Sequence, residues 1–96
     1  MDTVALLTSK RDPILEVANR HGARNIRVFG SASRGDDRPD SDIDLLVDLD
    51  RDRSILDLAE LVADLRDLLG RPVDVAIDEN LHHLLRPQIL REARPL

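Results

Sequence analysis

Cysteine, tryptophan and tyrosine are absent from this sequence, which holds one phenylalanine and one lysine. Without cysteine there is no disulfide framework and no thiolate metal site, so no oxidising compartment is required. With a single aromatic ring, the core has to be built from Leu, Ile, Val and Ala, and the stacking platforms that grip single-stranded nucleic acid are missing. No apolar run approaches the roughly 20 residues that span a bilayer, and the N-terminus lacks the basic start and apolar stretch of a leader. These absences predict a soluble, cytoplasmic protein with no membrane role.

Against that background, the 96 residues are 42% hydrophobic, enough for one small domain spanning 1–96. The formal net charge is −5, unevenly spread. Residues 1–35 carry six basic against three acidic side chains, residues 36–80 five against fifteen, and residues 81–96 three against one. A phosphate ligand approaching the acidic middle would be repelled unless a divalent cation stood between them. The same balance argues against extended nucleic-acid binding, which wants a basic groove.

Along the chain, Leu6, Leu7, Ile14, Val17 and Ala18 fall at helical spacing. Pro13 favours a helix from about residue 12 to 21 with a turn before it, or marks a kink in a longer one. Residues 25–29 read as a strand, with Ile26 and Val28 on one face and Arg27 and Phe29 on the other. Gly30 is either an ordinary turn glycine or the lead into one helical turn, Ser31 to Arg34, whose free N–H groups face an anion. After a polar loop, residues 42–49 alternate: Ile43, Leu45, Val47 and Leu49 face a helix layer, and Asp42, Asp44, Leu46 and Asp48 the opposite side. Ser54 and Asp57 form a capping-box start to a helix that Gly70 and Pro72 stop. Residues 72–77 give a third strand; strand, helix, strand at this spacing is a right-handed parallel crossover, bringing Asp74 beside Asp42 and Asp44. Residues 81–94 are expected to be helical in two pieces divided at Pro87.

Three carboxylates on one sheet face would repel one another without a cation. Hard oxygen ligands favour Mg²⁺, two ions in the usual phosphoryl-transfer arrangement, with Mn²⁺ an alternative. A solvated strand face is the plain alternative for Asp42 and Asp44 in a chain that is 34% charged, but the neighbouring glycine turn weakens it. Asp48, Asp50 and Asp78 read as solvated charges beyond the cluster. No lysine follows Gly30 in the Walker pattern, and Ser31 has no nearby base, so it reads as a phosphate ligand rather than a nucleophile. His21, His82 and His83 show no metal-ligand spacing and read as capping or surface residues.

Gly30-Ser31 with Arg34-Gly35, then Ser41-Asp42-Ile43-Asp44, then Asp74 in Val-Asp-Val resemble, in order and setting, the minimal nucleotidyltransferases of the DNA polymerase beta superfamily. Ser33 departs from the alanine that many members carry before the arginine. The resemblance implies the nucleotidyltransferase fold, an α/β arrangement (α+β in some schemes) with a mixed three-stranded sheet backed by helices. It also implies transfer of a nucleoside monophosphate from NTP-Mg²⁺ to a hydroxyl. By position, Gly30, Ser31 and Arg34 would bind the nucleotide, and Asp42, Asp44 and Asp74 would hold the metals, Asp74 on the acceptor side.

Proteins of this size resemble the antitoxin half of HEPN–nucleotidyltransferase toxin–antitoxin pairs. That implies ATP as substrate, a HEPN ribonuclease toxin as partner, and AMP transfer to a tyrosine of the partner, since this chain has none. The alternatives are an antitoxin acting by binding alone and transfer to a small molecule.

Overall fold

The computed structural model describes residues 2–96. Two short helices come first, α1 at Thr3–Ser9 and α2 at Arg11–Arg20. The expected turn before residue 12 is thus a helix of its own, and Lys10 alone separates the two. Asp2 starts α1 by accepting the Ala5 N–H at 2.7 Å. Pro13 lies in the first turn of α2, where a backbone N–H has no partner within the helix to lose.

Gly22, with φ at 75°, turns the chain into β1, Ala23–Phe29. The single-turn helix α3, Ser31–Arg34, follows as expected, and then β2, Ile43–Leu49. Helix α4, Ile55–Leu69, has the predicted box: the Ser54 hydroxyl accepts the Leu56 N–H at 3.2 Å, and Asp57 accepts the Ser54 N–H at 2.9 Å. Gly70 ends it in the left-handed conformation. Strand β3, Val73–Ile77, leads through a 3₁₀ turn at Asp78–Asn80 to α5, Arg86–Glu92, and β4, Arg94–Pro95.

The sheet runs β3-β2-β1-β4, with β2 parallel to β3 and β1 antiparallel to both β2 and β4. It is mixed, as expected, but has four strands rather than three. The added strand is two residues long and ends in proline, so it carries no alternation to read, and it pairs with Arg27 and Val28 far back in the chain. The helical expectation for residues 81–94 holds only for α5. Pro87 sits in its first turn instead of dividing two helices, and residues 81–85 form turns that leave Leu84 and Leu85 exposed.

The core lies between one sheet face and the helices: Ile14, Val17 and Ala18 from α2 and Leu61, Leu65 and Leu69 from α4 meet Ile26, Val28, Ile43, Leu45, Val47 and Val73. His21, at the end of α2, joins the two helices through Asp64, Nε2 to Oδ2 at 2.6 Å.

The opposite face differs from the expected row of solvated acids. Leu46 is fully buried there, apart from the main core, between its register partners Arg27 and Ala76. Arg27, with a side chain only 11% exposed, lies between Asp48 at 3.1 Å and Asp78 at 3.4 Å, and Asp78 also accepts from Arg86 at 3.0 Å. Asp48 and Asp78 are therefore partners of a half-hidden arginine, and Asp50 pairs with Arg24 at 2.8 Å. Among the described residues, no helix is long and apolar enough to cross a membrane.

Candidate functional site

Antiparallel pairing of β1 with β2 sets Phe29 opposite Asp44, and parallel pairing of β2 with β3 sets Asp44 opposite Asp74. The turn after β1 and two of the three predicted carboxylates therefore meet at one end of the sheet. Gly30 adopts φ 72° and ψ −150°, a conformation that disfavours a side chain, and a methyl group there would collide with the Asp44 carboxylate. The glycine turn and the acid are packed against each other, so neither moves independently.

Helix α3 is anchored from beneath by buried Ala32 and Ser33, while Ser31 stays partly exposed. Gly35, in the left-handed conformation, closes the turn, and Asp36 N–H bonds back to the Ser31 carbonyl at 3.1 Å. The first N–H groups of such a turn have no partner within the helix. Ser33, the departure from the family pattern, donates its hydroxyl to the Glu92 carbonyl.

The carboxyl of Asp44 is pushed above its ordinary range, first by burial and then by the charges of Asp74 and Asp42, with Arg34 pulling the other way. All three predicted acids and Arg34 thus act on one point. Asp42 and Asp74 themselves are exposed. Among the described residues, no group of three or more His, Asp or Glu side chains is placed closely enough to hold a metal ion by itself, so Asp42, Asp44 and Asp74 do not form a ready-made three-ligand site. The chemistry of the donors nevertheless suits a hard divalent cation: oxygen ligands only, on an open sheet end, around a central carboxylate whose ionised form burial and two like charges disfavour more than Arg34 favours it.

Two participants are invisible in the sequence pattern. Glu92, at the end of α5, takes Arg34 Nη1 at 3.2 and 3.3 Å. Its carboxyl is held below the usual range by Gln88 first, then by Arg34 and the Gly30 N–H. Arg34 also reaches Asp36 at 3.4 Å. Arg71, at the other side of the site, reaches the carbonyls of Ser41 at 2.6 Å and Arg38 at 3.2 Å. Both contacts link positions dozens of residues apart, with no local spacing to betray them.

A mixed sheet with helices packed on one face and a one-turn helix at its acidic end is the nucleotidyltransferase fold. A solved structure provisionally described as a minimal nucleotidyltransferase matches with TM-score 0.88 and 47% identity, over 100% of this chain and 97% of that one. The chain belongs to the nucleotidyltransferase domain family, whose model matches residues 14–96, and is a nucleotidyltransferase.

It is similar to the protein adenylyltransferase MntA of Thermococcus cleftensis, 42% identical over 77 residues, 80% of this chain and 78% of the relative. A Methanocaldococcus jannaschii protein, provisionally named a protein adenylyltransferase, is 39% identical over 80 residues, 83% of this chain and 86% of its own. A toxin–antitoxin structure with AMP-PNP shares the fold, at TM-score 0.75 and 23% identity over 88% of this chain and 69% of that one.

Proposed function

We propose that residues 1–96 form one nucleotidyltransferase domain that transfers AMP from ATP to a hydroxyl of a partner protein. The acceptor is a tyrosine of a HEPN-type ribonuclease toxin, and its modification neutralises the toxin. The observation that carries this reading is the packing of the Gly30 turn onto Asp44 with Asp74 in register beside it. An anion-facing turn and paired carboxylates at that separation suit a triphosphate held through divalent cations. The resemblance to MntA, named for protein adenylylation, supports the acceptor class, and the structure of a toxin–antitoxin complex with AMP-PNP supports the pairing.

In this scheme Gly30, Ser31 and Arg34 hold the triphosphate, and Asp42, Asp44 and Asp74 hold Mg²⁺, or Mn²⁺ in its place. When bound, the cations neutralise phosphate charge and favour ionisation of the acceptor hydroxyl. The acceptor oxygen bonds to the α-phosphorus, the bond from that phosphorus to the bridging β-oxygen breaks, and pyrophosphate leaves. Asp74 stands on the acceptor side, where its carboxylate can take the hydroxyl proton. Gly30 and Asp44 keep the phosphate turn and the carboxylates in fixed relation, an arrangement that favours in-line attack.

The test is incubation of the protein with ATP labelled at the α-phosphate, Mg²⁺ and the product of the adjacent gene. Label is expected on the partner and lost in Asp42→Asn/Asp44→Asn; label unchanged in that variant would remove this site from the reaction. A second reading, neutralisation by binding alone, draws on the exposed Ile55, Leu56, Leu84 and Leu85. It predicts that the doubly substituted protein still silences the toxin in cells at normal expression.

A further inference from the structure

Arg71 stands between the last turn of α4 and the start of β3, three residues before Asp74. Its guanidinium does not point to solvent. Nη2 donates to the Ser41 carbonyl at 2.6 Å and to the Arg38 carbonyl at 3.2 Å, and Nη1 donates to Thr3 Oγ1 at 2.6 Å. Thr3, 2% exposed, passes its own hydroxyl hydrogen to the Asp37 carboxylate. One further bond runs alongside, from the Ile43 N–H to the Pro72 carbonyl at 3.0 Å.

The bonds join three parts of the chain: the start of α1, the loop 36–41 and the approach to β3. Ser41 immediately precedes Asp42, and Arg71 lies three residues before Asp74, just ahead of β3. A single planar fork therefore ties the backbone leading into one carboxylate to the backbone leading into another. It does so at a cost, since the Arg71 Nε is buried without a partner. Lysine, a point charge on a flexible stem, cannot hold both carbonyls and the threonine in one plane. The loop needs such a tie. Its other bonds lead elsewhere: Asp36 to the Ser31 carbonyl and to Arg34, Asp37 to Thr3, and Arg38 to Ser41 within the loop, by N–H to Oγ at 2.8 Å and carbonyl to N–H at 2.9 Å. None of these fixes the loop to β3.

We propose that Arg71 is a positioning residue for the metal-binding edge, setting the spacing of Asp42 from Asp74 through the loop 36–41. The proposal rests on the reading of Asp42, Asp44 and Asp74 as metal ligands. Groups that orient ligands without touching the metal typically contribute about 10–100-fold to its affinity.

The experiment titrates Mn²⁺ into the full chain with a non-hydrolysable ATP analogue present, following free Mn²⁺ by electron paramagnetic resonance, with thermal melts in parallel. Asp42→Asn/Asp44→Asn is expected to lose Mn²⁺ binding; retained binding overturns the ligand assignment and this proposal with it. With that control in place, Arg71→Gln is expected to weaken Mn²⁺ binding by roughly tenfold, and Arg71→Lys to recover part of the loss. Thr3→Val removes the bond from Arg71 to α1 and the Thr3–Asp37 bond but spares both Arg71 bonds to the Ser41 and Arg38 carbonyls, so it is expected to melt earlier while binding Mn²⁺ as the wild type does.

Wild-type affinity in Arg71→Gln overturns the proposal, as does a loss in Thr3→Val equal to that in Arg71→Gln. If Arg71→Gln fails to fold, Arg71→Lys carries the test: weakened binding at a melting temperature no lower than that of Thr3→Val is expected, and unweakened binding overturns it.

Discussion

Asp44 is a carboxylate that folding alone does not favour in its charged form. Burial and the neighbouring charges of Asp74 and Asp42 raise its pKa, so the native chain keeps the proton to higher pH than the unfolded chain does. The sign of the linkage follows: stability contributed by this group falls as pH rises from the ordinary carboxylate range through the raised value. Asp44→Asn is therefore expected to raise the melting temperature in the presence of a chelator while abolishing AMP transfer. The gain should shrink toward low pH, where the wild-type carboxyl is protonated. Melts of both proteins across pH with chelator check this; a destabilised Asn variant at neutral pH would contradict it. On the proposed reading, Asp44 costs the fold some stability in exchange for its chemistry. The placement of the candidate site was legible because its signal is local: Gly30, Ser31, Asp42 and Asp44 lie within fifteen positions, and strand alternation put the acids on one face. Glu92, Arg71 and Thr3 were not legible, because each acts across a long stretch of chain through contacts that only the finished packing creates.

Helix α4 shows how far local rules reach at the scale of an element. Its start, stop and buried line of Leu61, Leu65 and Leu69 follow from the Ser54 and Asp57 box, Gly70 and the apolar spacing. Removing the cap hydroxyl in Ser54→Ala is expected to cost about 1 kcal/mol, read as a drop of roughly 4–8 °C in melting temperature for a domain of this size. The carboxyl of Asp57 is held below its usual range chiefly by the Ser54 N–H. Its contribution is complete above the ordinary Asp pKa and is lost as pH falls through the lowered one, so the difference between wild type and Asp57→Asn should vanish in acid. Elsewhere local rules failed for identifiable reasons. The leucines of residues 81–85 suggested a helix, yet Pro87 can occupy only the first turn of α5, and the His82 ring captures the Leu84 N–H at 3.2 Å. Strand β4 exists because β1 offers it an edge, which no property of Arg94 and Pro95 announces.

For the molecule as a whole, one aliphatic layer has to hold together a sheet whose working end gathers like charges. At roughly 0.05–0.15 kcal/mol per residue the chain has about 5–14 kcal/mol of stability. Leu65, only 1% exposed between α4 and the sheet, is central to that layer. Leu65→Ala is expected to cost roughly 2–5 kcal/mol, seen as a lowered midpoint in urea with little change in slope; a shift in slope alone would point to the unfolded state instead. The working end of the sheet also depends on a contact from far along the chain. Asp44 and Asp74 lie on strands that precede α5 in the chain, while the Ser33 hydroxyl bonds to Glu92 and the Arg34 guanidinium divides itself between Glu92 and Asp36. Glu92 therefore couples α5 to the glycine turn: a substitution that unseats α5 would leave Asp44 and Asp74 in register while Arg34 and Ser33 lose this brace.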